Sequence, residues 1–386
     1  MKKISIIFTF LILICTSINA QESSKEKFKA TIGGRFLLDG VAYVGDHPST
    51  VHHQANIPDI RLTGKAFYGD WFMRIDVGFS NSQVRLKDSF FQYSKKGNIV
   101  RIGHILGPFG IDPAVSTYDN IFNSPANIHN LTYFGRHLGL TYSRVDKHYY
   151  ISAGAFYGDN IDNLKTKNQG FNTALRAIWR PVNEGKRVIQ IGVSGVFRQP
   201  DADKTTGKRD FLIGGTGVTC CDSPLYQNVL IDNARNENIT GLEFYCSWDK
   251  WMIQTEYMGM FVPRTKSHTF VGHGGYLQLG YLITGSSFSY DDTEALPIAP
   301  ADAKSLQLVF RYNFSTLNDN KAGLFGGLQH DISLGLNYQF NKCICSRLNW
   351  ACVMVDENSP LASSMKVTNG KLPAIHQLQA RLAFWF

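Results

Sequence analysis

Beyond residue 20 the chain has no run approaching the roughly 18 consecutive apolar residues that a membrane helix needs, so no helical span is expected. Helical periodicity is almost absent as well. The catalytic signatures G-x-S-x-G, H-E-x-x-H, G-x-x-x-x-G-K and a strand-to-helix G-x-G-x-x-G are all missing, which removes the common local marks of hydrolases, metalloproteases and nucleotide-binding enzymes. Cysteine is sparse, with six after Cys15, so the chain is no disulfide scaffold, although an even number in an exported protein permits bridges. Charge of one sign is also modest. The formal charge is +8, falling to about +6 once Lys2 and Lys3 leave with a leader, and it is spread over the whole chain. That pattern excludes a nucleic-acid partner.

The leader itself reads "MKKISIIFTFLILICTSINAQ": two lysines, an apolar run from Ile4 to Cys15, then small and polar residues up to Ala20. We expect residues 1–20 to be a secretory signal peptide cleaved before Gln21, with Cys15 inside the removed part. Residues 21–386 then form one β-rich domain, since no composition break marks a second.

What the chain has in quantity is glycine, aromatics at 13% and period-two alternation. In "LQARLAFWF" at the end, Leu378, Ala380, Leu382, Phe384 and Phe386 share one face, opposite Gln377, Gln379 and Arg381. In "DIRLTGKAFYGD", Ile60, Leu62, Ala66 and Tyr68 oppose Arg61, Thr63 and Lys65. In "WFMRIDVGFS", Trp71, Ile75 and Val77 oppose Arg74 and Asp76. "SLQLVFRYNFS" and "HDISLGLNYQF" repeat the arrangement. About sixteen such segments are expected, beginning near residues 28, 57, 71, 82, 98, 133, 148, 171, 186, 239, 250, 275, 304, 328, 344 and 376. The alternation of the fourth slips around Asp88.

Connection lengths alternate too. "YGD", "SKKGN", "RVDKH", "PVNEGK", "WDK" and "NKCIC" are tight, whereas 45–56, 107–132, 159–170, 199–238, 262–274, 315–327 and 356–375 read as long polar loops. A short connection near Asn81 and a long one at 285–303 break the rule. A soluble β-sandwich would also alternate, but the leader, aromatic strand ends, loop asymmetry and terminal Phe386 agree jointly with an all-β, antiparallel transmembrane barrel of the outer membrane, with short periplasmic turns and long outer loops. Phe384 and Phe386 then face lipid on the closing strand and resemble the signal read by the barrel-assembly machinery.

Several stretches, in order, resemble the phosphate-selective porin family of Gram-negative outer membranes. They include "IRLTGKAFYGDWFMRIDVGF", "LKDSFFQYSKKGNIVRIGHILGPFG", "YFGRHLGLTYS", "WMIQTEYM", "GGYLQLGYLITGSSFSYD", "LVFRYNFSTLND" and "GGLQHDISLGLNYQF". The resemblance runs from about residue 30 to the end. It implies a sixteen-stranded barrel, a homotrimer, a constriction loop folded into the lumen and arginines that guide anions.

Pore chemistry requires charge on the inward face. The alternation puts Arg35, Arg61, Lys65, Arg74, Arg101, Arg176, Arg198, Arg311, Arg347 and Arg381 there, with Asp39, Asp59, Asp76, Glu243, Glu256 and Asp331. Taken singly, each arginine reads as a partner in a wetting ion pair. As a set, guanidinium in excess favours small anionic solutes. The constriction is expected in 107–132, which carries Asp112, Asp119 and His129 but no Lys or Arg, a departure from what a phosphate filter wants. Cys343, Cys345 and Cys352 lack metal-site spacing, and His47, His52 and His53 read as solvated loop histidines, so no metal or cofactor is expected. The expected function is a passive channel for small hydrophilic, preferentially anionic solutes. A barrel enzyme with a triad scattered over strands, and a non-conducting structural or adhesion barrel, are the alternatives.

Overall fold

The computed structural model describes residues 27–80, 83–158, 167–300, 302–365 and 372–386, so the leader expected over 1–20 lies outside the described residues. Sixteen antiparallel strands close into a barrel. They are β1 (Lys29–Val44), β2 (Gln54–Tyr68), β3 (Trp71–Ser80), β4 (Gln83–Lys95), β5 (Asn98–Leu106), β6 (Arg136–Val145), β7 (Tyr149–Tyr157) and β8 (Phe171–Glu184), then β9 (Arg187–Arg198), β10 (Glu237–Trp248), β11 (Trp251–Arg264), β12 (Ser267–Thr284), β13 (Ser305–Asp319), β14 (Leu324–Asn341), β15 (Ile344–Val355) and β16 (Ile375–Trp385). Full closure leaves no sheet edge, as a strand-built membrane protein requires.

Alternation decides the two surfaces. Outward residues such as Leu242, Ile102 and Phe91 are about 60% exposed, while their neighbours in sequence point inside. A one-residue slip would turn every guanidinium towards lipid, at roughly 2–4 kcal/mol each near the midplane, so the register is strongly fixed. Aromatic pairs mark the lower rim, with Trp71 against Tyr93 at 5.0 Å and Trp251 against Tyr281 at 4.4 Å. Phe171 and Phe197, 5.3 Å apart, belong to the upper rim. From Trp251 up β11 to Phe261, a rise of ~3.4 Å per residue on a strand tilted about 40° matches an apolar band ~25 Å tall.

The closure is made by β1 and β16, which pair from Arg35 opposite Trp385 to Val44 opposite His376. Beyond the strand, Phe386 donates its N–H to the Gly34 carbonyl at 3.0 Å, and Gly34 donates back at 3.1 Å. Any Cβ on Gly34 would lie 2.9 Å from the Phe386 ring, so glycine makes room for the terminal aromatic.

Two expected loops are instead strand. The stretches 262–274 and 315–327 continue as β11, β12, β13 and β14, reversing at 265–266 and 320–323. Their polar letters suggested loop, but Met260, Val262, Phe270 and Leu317 alternate inward into an apolar cluster, which keeps the ladders paired above the membrane. The remaining irregular segments turn inwards. Loop 107–135 carries helix α1 (Asn127–Leu131) into the barrel, and the loop between β9 and β10 forms a hairpin of 211–215 with 227–231 over α1. From the other end, the long turn after β12 sends up a hairpin of 289–291 with 296–298.

Candidate functional site: the basic inner wall and its inserts

Loop 107–135 is fastened to the inner wall at several strands. Gly110 sits at φ +69, a left-handed conformation suited to glycine, and a Cβ there would stand 2.9 Å from Glu256. The turn it makes lets the Glu256 carboxylate on β11 accept from the N–H of Ile111 at 2.7 Å and of Asp112 at 3.1 Å. His129 at 2.8 Å and the Tyr276 hydroxyl at 2.5 Å complete four contacts on one buried carboxylate. Asp112 accepts from the Ala126 N–H at 2.6 Å, just before α1. Burial raises the Asp112 carboxyl. Burial also opposes charge on His129, but Glu256 outweighs it and lifts the imidazole above its ordinary value.

Arginines of β13, β15 and β1 also hold the loop. Arg311 donates to the Ser124 carbonyl at 3.0 Å and lies over the Phe122 ring at 4.3 Å. Arg347 reaches the Thr117 carbonyl at 3.0 Å and that of Tyr118, and Arg35 donates to Ser116 Oγ at 2.8 Å. Arg381 is bidentate on Asp39 at 2.7 and 2.5 Å. Charge-assisted bonds of this kind contribute on the order of 1.5–3 kcal/mol each, so the loop is fixed cooperatively rather than draped.

The hairpin from the turn after β12 meets this loop from below. Asp119 accepts the Ala299 N–H at 2.9 Å, and burial pushes the Asp119 carboxyl up to about 6. Arg176 donates to the Ala295 carbonyl at 3.0 Å, and Arg180 to that of Asp292 at 2.9 Å. Tyr290 bonds Gln190, and the Glu294 carboxylate pairs with Arg101. With both inserts in place, inward polar residues of β8–β16 such as Gln190, Gln254, Asp331 and Gln377 are buried.

The wall of β2–β6 is different, because several of its inward charges keep solvent contact, although Asp59, Arg61 and Asp76 are buried. Arg74 is 33% exposed, Arg136 21% and Arg101 17%, against 1% for Arg311. An alternating chain of charges crosses this wall. Arg35 bonds Asp59 at 2.6 Å, Arg61 reaches Asp59 at 3.0 Å and Asp76 at 3.6 Å, and Arg74 bonds Asp76 at 2.7 Å. Opposite Asp76 the register shifts, so that Lys87 and Asp88 together face one residue, a β-bulge that explains the slip in alternation. Asp88 binds Arg136 at 2.8 Å. Lys65 and Lys87 are half-buried and have no ion pair among the described residues.

All the cations expected on the inner face point inwards, Arg198 included, whose partner is Glu237 at 2.6 Å. Eight of the ten divide into two groups. Arg35, Arg176, Arg311 and Arg347 hold inserts, whereas Arg61, Lys65, Arg74 and Arg101 lie along the solvent-bearing wall. Asp112 and His129 are consumed in anchoring. Sequence reasoning missed Arg180, although it follows Arg176 by four residues on the same face. It missed Lys87 and Asp88 because the bulge breaks the count on β4, Arg136 because at the start of β6 it shares the parity of the outward Leu138 and Leu140, and Glu294 because nothing in a turn sequence says that the turn folds inwards. The six described cysteines are free, with Cys220 and Cys221 Sγ atoms 3.9 Å apart. Among the described residues no three ligand-type side chains converge as a metal site would need.

A closed sixteen-stranded barrel, apolar outside, charged inside and carrying an inward loop, defines the porin class of Gram-negative outer-membrane proteins. The chain belongs to the family described as phosphate-selective porin O and P, whose model matches residues 31–386. An uncharacterized protein of Caulobacter vibrioides is 24% identical over 328 residues, covering 80% of this chain, and the chain spans 64% of that relative's length. Among solved structures, the fold is similar to an anion-selective porin from Comamonas acidovorans, with TM-score 0.60, 11% identity, 93% of this chain and 100% of that one covered. It is also similar to the trimer form of the outer-membrane protein OmpT of Vibrio cholerae, with TM-score 0.59, 11% identity, and 93% and 99% covered. At such identities these likenesses speak to fold.

Proposed function

We propose that this barrel is a passive channel for small hydrophilic solutes with a preference for anions, phosphate among them, and that the solute path runs along β2–β6. One observation carries this reading. The β2–β6 wall, several of whose charges retain solvent contact, bears six cations, Arg61, Lys65, Arg74, Lys87, Arg101 and Arg136, against the four carboxylates Asp59, Asp76, Asp88 and Glu294, the last lent by the hairpin. Guanidinium and ammonium groups there replace hydration of a passing anion, and the interleaved carboxylates keep the attraction shallow enough for release. The constriction is read as loop 107–135 with its partner hairpin, Asp119 joining the two, while Asp112 and His129 fix the loop's depth. Arg176, Arg198, Arg311, Arg347 and Arg381 act mainly by holding inserts and rims in position. No enzymatic role is assigned, and Glu243, Glu256 and Asp331 are read as members of ion-pair and hydrogen-bond networks.

The mature chain is read as residues 21–386 after removal of 1–20, inserted by the barrel-assembly machinery into outer-membrane lipid. Porin-like relatives include a trimer, which supports a homotrimer here. The test is a planar-bilayer recording under a KCl gradient. A zero-current potential of anionic sign that shrinks as salt rises from about 0.01 M, where the Debye length is ~30 Å, towards 1 M, where it is ~3 Å, supports the proposal. A cationic sign, or no conductance, refutes it.

A further inference from the structure

Glu294 comes from the periplasmic side of the barrel, at the crown of the hairpin after β12. Its carboxylate meets both Nη atoms of Arg101, whose Nε is already bonded to Gln92 at 2.6 Å and whose guanidinium lies over Phe90 at 5.3 Å. The side chain is 33% exposed, so the charge borders the solvent of the β2–β6 wall.

Fixing the hairpin does not depend on this carboxylate. Arg176 holds the main-chain carbonyls of Glu294 and Ala295, and Arg180 holds that of Asp292. Register then locates the pair along the path. Lys65 stands opposite Arg74, and Arg74 opposite Phe90, whereas Arg101 stands opposite Gln92, one inward-facing step nearer the periplasm. Charge along the wall is therefore graded. It is in excess at the level of Lys65 and Arg74, since Lys65 has no ion pair among the described residues, and balanced one step nearer the periplasm, where Glu294 meets Arg101.

We propose that Glu294 is a specificity-determining residue for transport: a carboxylate lent by a periplasmic turn that cancels Arg101 and lets anions leave the inner end of the basic wall. The inference rests on the anion-channel reading above. An anion drawn past Lys65 meets a neutral step before bulk solvent, and a solute that is to cross must bind weakly enough to leave. Without the carboxylate, Arg101 extends the attractive stretch to the exit, raising both anion preference and residence time.

The test compares Glu294→Gln with the parent protein in planar bilayers, reading the zero-current potential under a KCl gradient and block by inorganic phosphate. Glu294→Gln should raise the anion-to-cation permeability ratio about twofold or more and bring phosphate block to lower concentration, with conductance in about 1 M KCl, where charges are screened, nearly unchanged. Arg101→Gln, which leaves the carboxylate alone, should shift the ratio towards cations, and it serves if Glu294→Gln does not insert. An unchanged ratio in both variants, or a gain in conductance for both ions without a shift, would overturn the proposal and make Glu294 a clasp. A cation-selective parent would instead sink the anion-channel reading and with it the anion-release role, even with the same variant shifts.

Discussion

Gly34 has no side chain, and the Phe386 ring occupies the space that a Cβ would claim, so the last residue is welded to the first strand. Phe386→Ser should therefore lower the yield of folded, heat-modifiable barrel severalfold, while channels that do assemble conduct normally; gel mobility with and without heating checks this. Unaltered yield would show that the terminal aromatic is dispensable. At the same scale, inward-facing arginine proves to be two kinds of residue. Arg311, buried and bonded to the Ser124 carbonyl, is scaffolding, while Arg74 keeps a third of its surface in contact with solvent. Alternation alone assigns both to one face, and no local signal separates them, because the distinction depends on which insert lies against each.

Loop 107–135 and the hairpin after β12 meet at Asp119, whose carboxylate accepts the Ala299 N–H while Arg347 and Asp291 lie within electrostatic reach. Burial raises this acid to about 6, above an ordinary value near 4. An acid with a raised value in the docked state binds its proton more tightly there, so docking weakens as pH rises through about 6 and strengthens as it falls. Open-channel current noise should consequently drop between pH 7.5 and about 5, and Asp119→Asn, which keeps the acceptor oxygen, should be quiet at both. Noise independent of pH in the parent protein would exclude Asp119 as the joint. Elements of this scale were legible in part. The strands from 71 and 98 start where the period-two pattern begins, since lipid on one side and charge on the other force it. The loops at 262–274 and 315–327 misled, because polar strand ends above a membrane look like loops until their buried partners are known. The inward course of the turn at 285–304 was invisible, being decided by Arg176 and Arg180 on distant strands.

For the whole molecule, the decisive feature is asymmetry of the lumen. Inserts fill the β8–β16 side, and the basic wall of β2–β6 keeps solvent contact at Arg74, Arg101 and Arg136, which is why the proposed solute path is eccentric. The family resemblance anticipated the barrel and an inward loop, but not which wall the loop leaves uncovered. The most direct measurement is the zero-current potential of a Lys65→Glu/Lys87→Glu double variant beside an Asp331→Asn control on the filled side, in about 0.1 M KCl, where the screening length is ~10 Å. If ions travel along β2–β6, the double variant should reverse from anion to cation preference while the control keeps the parent value. An unmoved potential in the double variant, or an equal shift in the control, would contradict that path.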